Sequence, residues 1–184
     1  MMEPWQAMLV IVALSIAAFL VFKLLVARFW SKRRGTSSAS NHAYDKAKYH
    51  YETIEEFGLP AEHACNPATF FLSWLIKNRL TSRRFERDGR SELALYRAGR
   101  MPINTLYYQR CDGCLMSDML NDEGNAFARS YFDFQRGQYL QDYQTHLQKD
   151  LQSEFHVEYT PENERLIHTV IDKCYGEWKE HGSM

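Results

Sequence analysis

The chain has 184 residues, 45% of them hydrophobic and 24% charged, with a formal net charge of −1. That composition excludes a wholly disordered chain, and the length suits one domain with a real core plus a short appendage. The near-zero average conceals a strongly uneven distribution of charge along the chain.

Residues 1–34 stand apart. From Met8 to Ala27 the sequence is apolar except for Lys23, a stretch about one bilayer core long at ~1.5 Å of helical rise per residue. Trp5 and Trp30 flank it, as aromatic residues flank membrane spans. Only Glu3 precedes the stretch, whereas Arg28, Lys32, Arg33 and Arg34 follow it. A cleaved signal peptide has the opposite polarity. The reading is therefore an uncleaved single-pass transmembrane anchor. The positive-inside rule puts its N-terminus outside and the rest of the chain in the cytoplasm. Residues 35–43, small and polar, read as a flexible linker.

Residues 44–184 read as a single, mainly α, compact domain with little strand. PAEHACNPATFFLSWLIKNRL has helical spacing, with Pro67 marking either a kink or the true start. SELALYRAG is a short helix closed by Gly99, and MPINTLYYQRCDG another, with Pro102 near its start and Gly113 after its end. NDEGNAFARSYF and GQYLQDYQTHL predict two more helices, the first capped, with acids near its positive end. EFHVEYT alternates like a strand. In PENERLIHTVIDKCYGEWKEHG, residues Leu166, Ile167, Val170, Ile171, Cys174, Tyr175 and Trp178 form one apolar stripe. The aromatic group Tyr131, Phe132, Phe134, Tyr139 and Tyr143 reads as core with hydroxyls at its rim.

From Lys77 to Arg110 there are nine Lys or Arg and three acids; from Asp112 to the end there are six and fourteen. Arg83, Arg84, Arg87 and Arg90 make up a basic patch that either is simply solvated or faces an anionic partner: a protein, or lipid headgroups beside the anchor. Nucleic acid is not the expected partner.

The four cysteines Cys65, Cys111, Cys114 and Cys174 are expected to be reduced in the cytoplasm. The CDGC motif at 111–114 invites redox or metal chemistry. A reactive thiol belongs at a helix N-terminus, and here the helical pattern comes before Cys111. A zinc site wants four ligands; His63, Cys65, His156 and His168 offer no characteristic spacing to complete one with Cys111 and Cys114. The pair reads as packing at a helix end. The acids around Gly124 do not fit a calcium loop, whose first and twelfth positions would be Met119 and Ser130. No nucleophile elbow, HExxH or phosphate loop is present, so no cofactor is expected, and His50, among aromatic residues, reads as stacked or hydrogen-bonded.

DKAKYHYE, LPAEHA, FFLSWLIKNRL, CDGCLMSDMLNDEGNAFARSYFDFQRGQYLQDY and the closing HVEYT and IDKCYGEWK resemble a family of small bacterial proteins without assigned function. The resemblance covers most of residues 44–179. It implies a single cytosolic domain associated with the neighbourhoods of secreted toxins and their immunity proteins, places the anchor of this chain in a bacterial inner membrane, and supplies no catalytic residues. The chain departs from the family pattern in its anchor and in Cys114, where a plain apolar residue is expected. Two functions follow as expectations: a membrane-anchored protein-binding domain of immunity or adaptor type, or an enzyme or metal protein built on Cys111, Cys114 and nearby acids.

Overall fold

A computed structural model describes residues 41–133 and 137–182. The anchor, its basic flank, most of the linker and Phe134 lie outside the described residues. Among the described residues no helix is long and apolar enough to cross a membrane.

The domain is mainly helical, with one small sheet. Strand β1 (Ala43–Lys46) pairs antiparallel with β2 (Cys114–Met116), with Asp45 opposite Leu115 and Lys46 opposite Cys114. The register breaks between Ala43 and Asp45, so the neighbours Tyr44 and Asp45 both turn inward where a regular strand would alternate them. Ala43, the last residue of the expected linker, belongs to β1.

Helix α1 (Tyr51–Glu56) closes at Gly58, which takes the left-handed conformation (φ 64°). A short 3₁₀ segment (Ala61–Cys65) then leads into α2 (Asn66–Lys77), with Pro67 in the first turn. Of the two starts that the sequence allowed, the structure takes Pro67, because proline fits the first turn and its missing N–H is no loss there. Helix α2 is the core of the domain, with eleven of its twelve residues buried.

After α2 come α3 (Arg83–Asp88) and α4 (Arg90–Arg97), then α5 (Ile103–Cys111). Helix α6 (Asp122–Tyr131) is capped by Asn121, whose side chain accepts from the Gly124 amide at 2.7 Å, with Asp122 and Glu123 in its first turn. Helix α7 (Tyr139–Tyr143) runs on into a π-helical turn (Gln144–Gln148). Helix α8 (Pro161–His181) closes the domain.

The apolar stripe of α8 is narrower than its sequence predicts. Ile167, Ile171 and Cys174 are buried, but Leu166 is 38% exposed, and the interior position next to Ile167 belongs to His168. EFHVEYT is not a strand. Its first residues form a 3₁₀ turn (Glu154–His156), and the rest runs extended over α2, where the Val157 carbonyl accepts from the Asn66 side chain at 2.8 Å.

The aromatic group packs as core: Tyr131, Phe132, Tyr139 and Tyr143 are buried, with Phe71 of α2 stacked 4.6 Å from Phe132. Tyr139 donates to the Pro67 carbonyl at 2.6 Å and Tyr131 to the Asp142 carboxylate at 2.8 Å. Gly124 lies directly under the Leu80 carbonyl, so an added Cβ would collide with backbone.

Two substitutions test this packing by denaturation of the full chain. Phe71→Ala should cost about 3–5 kcal/mol, the range for an aromatic cavity. Gly124→Ala should cost about 1–3 kcal/mol, although alanine is otherwise the better helix former.

Candidate functional site: a basic cleft with a Ser–His–Tyr floor

A cleft of about 1070 Å³ opens between the end of α2, helix α4 with the turn that follows it, and the first turns of α8. Its walls are apolar where Ile76, Met101, Pro102, Ile103 and Pro161 line it. Four basic residues lie around it, Lys77, Arg79, Arg97 and Arg165, against two acids, Glu86 and Glu164. Among the described residues only Arg97 of these four pairs with a carboxylate, through Nη2 to Glu86 at 2.8 Å. Arg79 sits just past the end of α2 with φ 59°, a conformation that helix ends usually give to glycine.

The floor is polar and closely bonded. The hydroxyl of Ser73 donates to the Phe70 carbonyl of its own helix at 2.9 Å. His168 Nε2 lies 2.8 Å from Ser73 Oγ and 3.3 Å from the same Phe70 carbonyl. A carbonyl can only accept, so Nε2 carries the proton and donates to both oxygens. Glu164 stands 3.9 Å from that nitrogen, one helical turn away, and accepts from Tyr96 Oη at 3.5 Å. Tyr159 Oη is buried and has no hydrogen-bond partner at full bonding geometry among the described residues.

Serine, histidine and glutamate together suggest nucleophilic hydrolysis, but the arrangement does not fit it. A general base must accept the serine proton, and here the histidine donates. The glutamate also shares the nitrogen that faces serine instead of orienting the opposite one. Ser73 lies mid-helix, where neighbouring amides are already bonded and cannot stabilise an oxyanion. Burial holds the His168 imidazole below its ordinary 6.5, and the nearby Glu164 carboxylate only partly offsets this. Burial, with Glu164 second, pushes the Tyr96 hydroxyl up to about 12.

The predicted basic patch does not stay together. Arg83, Arg87 and Arg90 gather with Arg97 around Glu86 and Thr81 in a recess beside the cleft. Arg84 points elsewhere, 3.5 Å from Asp88 and 3.8 Å from Asp118. Arg84 lies about 100° round α3 from Arg83, and it shares its partner Asp88 with Arg87.

Cys111 and Cys114 also part. Cys111 is buried in the last turn of α5, at the negative end of that helix, and burial pushes its thiol up to about 12. Cys114 is half-buried in β2, its thiol raised by burial and donating weakly to the Asp112 carbonyl. The other suggested metal ligands have separate partners: His63 the Phe155 carbonyl, His156 the Ser153 hydroxyl, and Cys65 the Glu62 carbonyl. Among the described residues no three His, Cys, Asp or Glu side chains are grouped to hold a metal ion. His50 stacks against Phe155 and pairs with the buried Asp45 at 2.8 Å.

Sequence reasoning misses the floor of the cleft. The available signals were a serine inside the otherwise apolar FFLSWLI and a histidine inside the α8 stripe. Each is a polar residue at a core position that needs a partner.

Fold and cleft together define a mainly α domain with one two-stranded sheet and a basic recess on its side. A family described as "Domain of unknown function (DUF7832)" matches residues 43–157, more than half of the chain, and the chain belongs to that family. The match ends at Val157, so α8, with Glu164, Arg165 and His168, lies beyond it. No curated protein and no solved structure matches the chain.

Two measurements follow from the site. Because the folded state depresses His168, the unfolded chain binds the extra proton more readily, and stability should fall as pH drops below about 6.5. In His168→Gln that part of the pH slope should disappear, as read from denaturation midpoints across pH 4.5–7.5. The second concerns the CDGC pair. Cys111→Ala should cost on the order of 1 kcal/mol and Cys114→Ala less, since only the first thiol is fully buried. Stoichiometric zinc in the purified chain, lost in the double variant, would overturn the packing account.

Proposed function

We propose that this chain is a membrane-tethered binding domain that holds an acidic segment of another protein in its cleft, acting as an immunity or adaptor factor. The observation that carries the reading is the cleft itself: apolar walls ringed by four basic residues, three of them without a carboxylate partner among the described residues. Its volume is in the range of recognition sites, and its charge suits acidic residues flanking an apolar anchor. The floor supports binding over turnover, because Ser73 and His168 satisfy each other. The apolar stretch from Met8 to Ala27 and the basic residues after it support the tether, with the domain on the cytoplasmic side. Chemistry on Cys111 and Cys114 has less support, since the buried thiol lies at the wrong end of its helix.

The binding reading is tested with the full chain in uncharged detergent and a labelled hexapeptide of glutamates around one tryptophan. Anisotropy should report binding that weakens as salt rises. Reversing Lys77, Arg79 and Arg165 to glutamate should weaken it by about tenfold or more. Equal binding of a lysine-rich peptide, or indifference to the reversal, would refute the assignment. Topology is tested separately: alkaline phosphatase fused after Met184 should be inactive, and an active fusion would reverse the orientation.

A further inference from the structure

We propose that Arg83, Arg87, Arg90 and Arg97 form a binding site for a phosphate group in the recess beside the cleft. The recess, of about 440 Å³, is lined by these four arginines with Thr81 and Glu86. Arg83 and Arg87 are one helical turn apart on α3. Arg90 joins them through the corner at Gly89, which packs so tightly that a Cβ there would lie 2.8 Å from Arg110 Nε and 3.1 Å from the Phe85 carbonyl. A side chain there would displace the Arg110 guanidinium, and the turn at this corner brings the third arginine to the first two.

Glu86, the acid of the recess, is already engaged. It accepts from Thr81 Oγ1 at 2.7 Å, and both its oxygens accept from Arg97 Nη2, at 2.8 and 2.9 Å. Burial would raise its carboxyl, but the hydrogen bonds from Arg97 and Thr81 outweigh that and hold it below the ordinary range. Glu86 thus fixes Arg97 at the edge of the recess. Arg87 gives only its Nε to Asp88, leaving both terminal amino groups free of that pair. Among the described residues no carboxylate pairs with Arg83 or Arg90.

This arrangement is unfavourable for the domain alone. Arg83 and Arg87 are like charges at a spacing where like charges repel. Helices α3 and α4 both open with an arginine at the positive end of the dipole, although an acid, Glu86 or Glu92, follows in each first turn. A bound anion relieves all of these repulsions together. Guanidinium groups are planar forks that meet tetrahedral oxyanions in pairs of hydrogen bonds, so a phosphate can draw on several of them at once. The phosphate can belong to a free phosphate compound or to a lipid headgroup beside the proposed tether.

The site is tested by trypsin cleavage of the full chain after Arg83, Arg87 and Arg90. In uncharged detergent micelles, sodium phosphate should slow cleavage by roughly tenfold relative to sodium chloride of equal ionic strength, the effect of one charge-assisted contact. In phosphatidylcholine vesicles, adding phosphatidic acid should do the same if the phosphate is a headgroup. Protection in micelles assigns a free phosphate compound, and protection in vesicles alone assigns the lipid. In Arg87→Gln/Arg90→Gln, protection at Arg83 should be lost, whereas Arg87→Lys/Arg90→Lys should retain only part of it and Arg100→Gln all of it. No protection beyond chloride in either arm, or protection that survives the double glutamine variant, overturns the proposal. None of these variants alters Lys77, Arg79 or Arg165, so the site can fail while the acidic-segment reading stands, or the reverse.

Discussion

Helix α2 must bury polar groups on every side, and the rest of the domain is arranged to satisfy them. With eleven of twelve residues buried, it has no solvent face to which Asn66, Ser73 or the Trp74 indole could turn. Asn66 is met by the extended segment at Val157 and by Asn104 of α5. The Trp74 indole donates to Asp172 of α8 at 2.7 Å, and Ser73 accepts from His168 of the same helix. Tyr139 reaches the Pro67 carbonyl from α7. Together these bonds join four elements to one helix, and an unmet partner in such a setting costs more than a met one contributes. The cleft forms where this wrapping ends, at the last turn of α2.

The same constraint explains which parts of the fold could be read from the sequence. Several helix positions could be, because their signals are local: Pro67 and Pro102 at starts, the acids after Asn121 in a first turn, and Gly99 after an end. The two-stranded sheet could not, because its strands are three and four residues long and lie about seventy residues apart. The alternation in FHVEY reflects a real difference between its two sides: Phe155 and Val157 are buried while Glu158 is exposed. It was misread because the segment's partner is a helix side chain, and a period of two says nothing about what a chain pairs with. The cleft floor was illegible for a similar reason, since Ser73 and His168 are 95 positions apart.

Charge was legible in sum but not in arrangement. The excess of arginine from Lys77 to Arg110 is plain in the sequence. What it does depends on a single acid: Glu86 lies between cleft and recess and lines both. Arg97 and Thr81 both bond to it and line both cavities as well, so the two basic surfaces share this corner. Arg84 turns to Asp118 and to Asp88, which it shares with Arg87.

The pairing of β1 with β2 has a mechanical consequence. The described domain begins at Asn41, and the ladder starts almost at once: the Ser117 amide donates to the His42 carbonyl at 2.8 Å, and the Ala47 amide to the Gly113 carbonyl at 2.9 Å. Any pull arriving through residues 1–40 therefore loads these few backbone bonds before it reaches the aromatic core. Beyond them, Tyr44 is pinned to Asn125 and Asp45 to His50, so the bulged strand is fastened by side chains on the inside as well. Tyr44 also meets Phe132 edge-on at 6.5 Å, so pulling β1 away would draw a ring out of the aromatic core.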